Sequence, residues 1–149
     1  MSAQAITFFV PGLPKTAGSK RAFMRPGMRF PVIVDDCKKG KDWKSDVKAF
    51  AALAYQGEPL TGPLKVTMAF TLPRIGAHLR SNGDLKPNAP HWHTKKPDAL
   101  KMARAVEDAC TGILWVDDAQ IAVEELAKCY GARPGVTVTV ERMTEGVGK

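Results

Sequence analysis

The stretch KPDALKMARAVEDACTGILWVDDAQI, Lys96–Ile121, decides how the second half of the chain folds. Its apolar residues recur at helical spacing after Pro97-Asp98, a typical start of a helix. Gly112 predicts the end of that helix. The apolar residues Ile113–Val116 then predict a short strand, and the adjacent aspartates Asp117-Asp118 predict a turn. We therefore expect an amphipathic helix that packs its apolar side against a sheet.

The segments on either side of this stretch predict a mixed β-sheet and one further helix. Alternating or β-branched runs indicate the strands, and apolar residues at helical spacing indicate the helix. Residues 121–130 suit either a helix or a strand. Together these patterns predict a single α/β (α+β) domain over residues 1–149, with a mixed sheet and two main helices. The predicted elements are strands at Ala5–Val10, Val32–Val34, Leu64–Leu72 and Val136–Val140, and a helix from about Lys39 to Tyr55.

Two segments, residues 11–31 and 73–95, are rich in glycine, proline and basic residues, and they predict basic loops. We expect the first loop to be mobile. The second is long for a compact domain, which indicates a functional or disordered segment. Residues 143–149 predict a frayed tail.

The composition describes a soluble protein with an excess of positive charge. The 149 residues are 44% hydrophobic and carry a formal net charge of +7. No segment has the roughly 20 apolar residues of a membrane span, and no secretory signal opens the chain. Three scattered cysteines, Cys37, Cys110 and Cys129, argue against a disulfide framework and predict a reduced, cytoplasmic setting. The charge favours a polyanionic partner, although charge alone suits an unspecialised basic protein equally well.

Leu100 lies on the polar side of the predicted helix, on the same face as Arg104 and Glu107. An exposed leucine is common and by itself implies no function. Asp98 is placed to cap the helix, and Asp117-Asp118 is placed in a turn. If the fold brings these carboxylates together they repel each other unless a cation lies between them. Mg²⁺ takes oxygen ligands of this kind.

These residues resemble the RusA-type Holliday-junction resolvases, a family of crossover junction endodeoxyribonucleases. The resemblance covers most of the chain and rests on the order of its motifs. FFVPGLP with Lys20-Arg21 is similar to the family's opening strand and basic loop, and Tyr130-Gly131 to Val140 is similar to its ending. The central motifs are Lys96-Pro97-Asp98, a helix, Asp108-Ala109, Gly112, Trp115 and Asp117-Asp118-Ala119-Gln120.

The resemblance implies a homodimeric, often prophage-encoded endonuclease that nicks four-way DNA junctions with Mg²⁺, for which Mn²⁺ can substitute. Of the family's three metal-binding acids, the first matches Asp98 and the third matches Asp118, whereas the second falls on Leu100. The family's helix lysine falls on Arg104 and its asparagine on Lys101. The implied reaction is metal-assisted hydrolysis, in which Arg104, supported by Lys101, stabilises charge on the phosphate.

Leu100 leaves three explanations open. A compensating acid can complete the site: Asp117 is the nearest in sequence, and Glu107 ranks below it because it lies about 10 Å along the helix axis. Two carboxylates can instead hold the ion together with water and substrate phosphate. The third explanation is a protein that binds junctions without cutting them. The charges of Lys101 and Arg104 favour the first two, so we predict Asp98, Asp118 and Asp117 as the metal ligands.

A set of basic residues is expected to contact the DNA backbone. Such contacts carry no base code, so discrimination would come from junction shape and dimer geometry. Trp92, between His91 and His93, either stacks on an unpaired base or, as is more common, anchors its loop to the fold. A zinc site is not favoured there, because cysteine and acidic partners are absent at ligand spacing. The predicted DNA contacts are Lys15, Lys20, Arg21, Arg25, Lys95, Lys96 and Lys128.

Overall fold

The computed structural model describes residues 5–17, 20–23, 32–35 and 38–144, and it describes side chains within 5–17 and 42–144. Eight helices and strands follow one another along these residues. In chain order they are β1 (Ile6–Pro11), β2 (Lys20–Phe23), β3 (Val32–Asp35), α1 (Lys38–Ala54), β4 (Leu64–Leu72), α2 (Ala99–Cys110), β5 (Ile121–Tyr130) and β6 (Gly135–Arg142). Short 3-10 turns occur at Gly76–His78 and Asp118–Gln120.

Four strands form a mixed sheet in the order β1-β6-β4-β5. The strands β1, β6 and β4 pair antiparallel, whereas β4 and β5 pair parallel. A parallel pair needs a crossover connection, and the chain between β4 and β5 supplies it with α2. The strands β2 and β3 form a separate antiparallel pair.

The core lies between this sheet and the two helices, which contact each other. Alternate residues of β4 are buried, so that Val66, Met68 and Phe70 are fully covered. Each such side chain contributes roughly 1.5–3 kcal/mol on burial. On α2, Met102 and Val106 are fully buried against the same core, as the helical spacing predicts. Neither helix is long and apolar enough to cross a membrane, and no other α-helix occurs in the described residues.

The structure confirms the mixed sheet, the two main helices and the α+β class. Residues 121–130, for which the sequence allowed either conformation, form β5. Part of the expected loop 11–31 is β2. The mobility of that loop and the limits of the domain stay predictions, and residues 145–149 of the expected tail lie outside the described residues.

The predicted strand at Ile113–Val116 is wrong. These residues form turns, with single bridges from Trp115 to Leu60 and Thr111. Gly112 adopts a φ of +90°, and its amide donates to the Trp115 carbonyl at 2.7 Å, which closes the chain into a tight turn. The apolar run that suggested a strand is therefore a buried turn, with Trp115 fully covered in the core.

Candidate functional site

The inner face of β5 carries two charged side chains. In the parallel pairing, Glu124 lies opposite Val66 and Lys128 lies opposite Phe70, so all four side chains point to the buried side of the sheet. The helix α2 packs against β5 on this side. Two ionisable groups thus lie at the α2–β5 interface, where an apolar residue would be usual.

Glu124 meets Glu107, which projects from the last part of α2. The pKa of Glu107 is raised to about 8, first by burial, then by hydrogen bonding with and repulsion from Glu124, and last by the charges of Asp118 and Asp108. Glu124 Oε2 is buried without a hydrogen-bond partner among the described residues, and a proton on Glu107 would supply the donor it lacks. This end of the interface needs a proton or a cation to offset its charge.

The motif Asp117-Asp118-Ala119-Gln120 forms a capped 3-10 turn. Asp117 Oδ1 accepts from the Ala119 amide at 3.0 Å, and Gln120 Oε1 accepts from the Asp117 amide at 2.8 Å. Gln120 Nε2 donates to the carbonyls of Leu60 and Gly62 at 2.9 and 3.0 Å, which fixes the turn against the segment before β4. Asp117 and Gln120 therefore shape the turn, and the turn presents Asp118.

Asp118 is an exposed carboxylate in a crowded acidic environment. A hydrogen bond with Asp117, then partial desolvation and the charges of Asp117 and Asp108, raise its pKa, while the Arg104 guanidinium lowers it. The turn thus brings Asp118 towards Arg104 and Glu107 of α2. Asp108 itself faces Lys44 of α1 at 3.4 Å.

The start of α2 has a different chemistry. Asp98 occupies the N-cap position, but its side chain makes no capping hydrogen bond within the described residues, and it lies 3.8 Å from Lys101 Nζ. Its carboxylate is thus free of the capping role that the sequence suggested. Lys128 Nζ donates to the carbonyls of Lys95 and Pro97 at 2.7 and 2.8 Å. We name this arrangement the lysine clasp.

Leu100 is 72% exposed on the open side of α2, as the helical spacing predicts. Arg104 and Lys101 are exposed on the same helix. Asp98 and Glu107 are nine positions apart, which places them about 13 Å from each other along the axis. The structure therefore brings Asp118 within electrostatic range of Glu107 and Arg104, while the pairing of Asp98 with Asp118 stays a prediction.

Across residues 5–17 and 42–144, no group of three or more histidine, cysteine, aspartate or glutamate side chains has the arrangement of a metal site. The paired carboxylates of Glu107 and Glu124, with the orphaned Glu124 Oε2, nevertheless fit a hard cation in their donor type. Sequence reasoning missed Glu124. The available signal was a glutamate on the otherwise buried face of VEELAKCY.

The predicted DNA-contacting residues fall into four groups. Lys95 and Lys96 are exposed before α2. Lys15 is half-buried and lines a cleft with Asp42 and Asp46. Lys128 spends two of its three N–H donors on the clasp, which leaves one for a phosphate. The side chains of Lys20 and Arg21, and all of Arg25, lie outside the described residues.

Comparisons with known proteins place this chain among nucleases. The family described as "Endodeoxyribonuclease RusA" matches residues 11–141. The protein named "Uncharacterized protein YqaN" of Bacillus subtilis (strain 168) is 25% identical over 141 residues, which cover 93% of this chain and 97% of that relative.

Proposed function

This chain belongs to the RusA family of endodeoxyribonucleases, and from that premise we propose that it resolves four-way DNA junctions by Mg²⁺-dependent hydrolysis. The family match over residues 11–141 is the observation that carries the proposal. The side chains support it, because carboxylates and phosphate-directed cations lie together along α2. The net charge of +7 suits a polyanionic substrate.

We assign the metal to Asp98 and Asp118, as the family pattern implies, and to Asp117 as a compensating acid, with Mn²⁺ as a substitute for Mg²⁺. A divalent ion there would supply positive charge at the scissile phosphate. Asp117 holds its turn in shape through its cap, and so positions Asp118. Arg104 lies close enough to lower the pKa of Asp118, so its guanidinium would bind a phosphate held by the same acids. Lys101 supports that charge from the same helix.

Glu107 is our alternative to Asp117 as the acid that compensates for Leu100. The carboxylate of Glu107 lies near enough to Asp118 for the Asp118 charge to raise its pKa. The sequence alone favoured Asp117, because Asp117 is adjacent to Asp118. One oxygen of Asp117 is occupied by the Ala119 amide, which limits its capacity as a ligand. Glu124 adds a second carboxylate beside Glu107. Because Asp98 lies about 13 Å from Glu107 along the helix axis, one ion would not bind both, so Glu107, Glu124, Asp117 and Asp118 form an alternative ligand set to the one that includes Asp98.

The test is cleavage of a labelled four-way junction and of a linear duplex with the same arms, in Mg²⁺ and in EDTA. We expect metal-dependent nicks in the junction only. Asp118→Asn and Asp98→Asn should each lower the rate by about 100-fold or more, because each removes a proposed ligand, while junction binding in EDTA stays intact. Normal cutting by either variant would overturn its assignment as a ligand.

A protein that binds junctions without cutting them is the second candidate, and the exposed Leu100 in place of an acid is the observation that favours it. It predicts retarded junction without a nick in any divalent metal. We also propose a homodimer, because two symmetric nicks need two active sites. Light scattering of the free protein and of its junction complex tests this.

A further inference from the structure

Trp92 is the exposed member of the three tryptophans of this chain. Its relative exposure is 60%, whereas that of Trp43 is 3% and that of Trp115 is 0%. The sequence left two roles open for Trp92, and the more common one was to anchor its loop to the core. The exposure excludes the anchoring role, because the indole is largely outside the core.

The backbone around Trp92 is held firmly, although its side chain is not buried. Trp92 forms a bridge with Cys129 at the free edge of β5. The His93 amide donates to the Lys128 carbonyl at 3.1 Å, and the Tyr130 amide donates to the His91 carbonyl at 2.9 Å. This segment is in effect a short extra strand on the sheet. The indole is thus presented from a rigid backbone, so little entropy is lost when it makes a contact.

The neighbouring side chains secure this segment and leave the indole accessible. Tyr130 is buried, with its ring 4.6 Å from His78 and 4.9 Å from His93. The His91 ring and the indole are 4.6 Å apart between centroids and nearly perpendicular, at 81° between planes, so the two rings do not stack in parallel.

The charge around Trp92 suits a nucleic acid. Lys95 and Lys96 are exposed a few residues further on. Lys128 connects the segment to the active-site side of α2, because its carbonyl accepts from His93 and its ammonium binds the Pro97 carbonyl, next to Asp98. An aromatic side chain among cations, near a proposed metal ligand, is the usual composition of a surface that stacks an unpaired base and binds its backbone.

We propose that Trp92 is a base-stacking site, which receives an unpaired nucleobase at the branch point of a bound four-way junction. This rests on the proposed function, because a linear duplex offers no unpaired base. Stacking of one base on an aromatic side chain corresponds to about 10- to 100-fold in affinity. The contact reads the open structure of the branch point and not its sequence, because every base has a π-face.

Intrinsic fluorescence gives a direct test, since Trp43 and Trp115 are covered and Trp92 is open. Addition of a four-way junction in EDTA should quench the emission of the wild-type protein strongly, and addition of linear duplex should quench it weakly. Trp92→Phe should lose the quench while it retains most of the affinity for the junction. A wild-type emission that does not change on junction binding would overturn the proposal.

Affinity gives a second test. Trp92→Ala should weaken junction binding by about 10-fold or more and hardly change duplex binding. Leu85→Ala is the matched control, because Leu85 is also an exposed apolar residue of the 73–95 segment. If Trp92→Ala binds and cuts the junction like wild type, this proposal fails while the proposed function stands.

Two other outcomes separate the explanations. A wild-type protein that binds no junction refutes both the proposed function and the stacking site. If Trp92→Ala changes the oligomeric state measured by light scattering and leaves junction affinity per dimer unchanged, the exposed indole belongs to an interface between copies of this chain. That result would overturn the stacking proposal as well.

Discussion

Both ends of the α2–β5 interface carry charged side chains on the buried face of the sheet. At one end the charged group has its hydrogen-bond partners, and at the other end it does not. At the start of α2, the Lys128 ammonium lies between two carbonyls that accept its protons. At the far end, the carboxylates of Glu107 and Glu124 lie together, and Glu124 Oε2 has no hydrogen-bond partner within the described residues. The first end is a finished structural contact, whereas the second requires a proton or an ion. A buried charged group with all its hydrogen-bond partners usually has a structural role. A buried charged group that lacks a partner marks a place where function is expected.

Of the changes at the two ends of the interface, removal of the lysine clasp should have the largest effect on stability. Lys128→Met keeps the length of the side chain but leaves the carbonyls of Lys95 and Pro97 without their donor. We expect a loss of about 2–3 kcal/mol in the free energy of unfolding, and a fall of about 5–10 °C in melting temperature. Thermal melts followed by circular dichroism measure this.

Lys65→Met is the control for the clasp. Lys65 makes an ion pair with Glu125 at 3.4 Å in a more exposed position, and such pairs contribute roughly 0–1 kcal/mol. If both lysine variants melt alike, the clasp does not stabilise the start of α2.

An acid introduced on the open face of α2 should have a smaller effect, which is on the rate of junction cleavage. Leu100→Asp restores a carboxylate at the family's second acidic position, so we expect junction cleavage in Mg²⁺ to be equal to that of wild type or up to about 10-fold faster. Single-turnover cleavage at several Mg²⁺ concentrations measures it. Leu53→Asp is the control, because Leu53 on α1 has the same exposure of 72%. A large loss of cleavage in Leu100→Asp would show that Leu100 packs against something essential.

The acidic end predicts a small, pH-dependent effect on stability in EDTA. Burial first, and then Glu124, raise the pKa of Glu107 from 4.5 to about 8. The folded pKa exceeds the unfolded one, so the stabilisation is complete below about pH 4.5 and is lost as the pH rises through 8. Glu107→Gln should remove this dependence. Because the group is partly exposed and screened by solvent, we expect about 1 kcal/mol or less, or about 2–4 °C.

Melting curves at pH 5.5 and 9 compare the wild type with Glu107→Gln and with Glu125→Gln, an exposed carboxylate on the outer face of β5. The wild type should lose stability relative to Glu107→Gln at the higher pH. A constant difference between the two proteins at both values would contradict the crowding of carboxylates at this end.

The particular elements show why some predictions succeeded. The strand β4 was predicted at its exact limits because alternate burial leaves a period of two in LKVTMAFTL. The helix α2 was predicted from an apolar stripe with proline and aspartate at its start. The strand predicted at Ile113–Val116 was wrong because a short apolar run has no periodicity that separates a strand from a turn. A buried turn around Trp115 needs the same apolar residues as a buried strand.

The site was only partly predictable for a related reason. The carboxylates of the family pattern can be read from the sequence, as can the solvent-facing position of Leu100. Glu124 was missed because a glutamate on a strand normally points to water, and only the pairing of β5 with β4 turns it inward. Lys128 was assigned to DNA by its charge, whereas its two carbonyl partners belong to a distant segment of the chain.

The sequence by itself determined the periodic elements, the basic charge, the order of the acidic motifs and the membership of the RusA family, because these properties are local or additive along the chain. Only the tertiary structure decided which charges come near each other: Glu107 and Glu124, Asp118 and Arg104, and Lys128 and the carbonyls before α2. Those contacts depend on the register of a parallel strand pair and on the packing of one helix across it. Both are long-range choices that no short stretch of residues encodes.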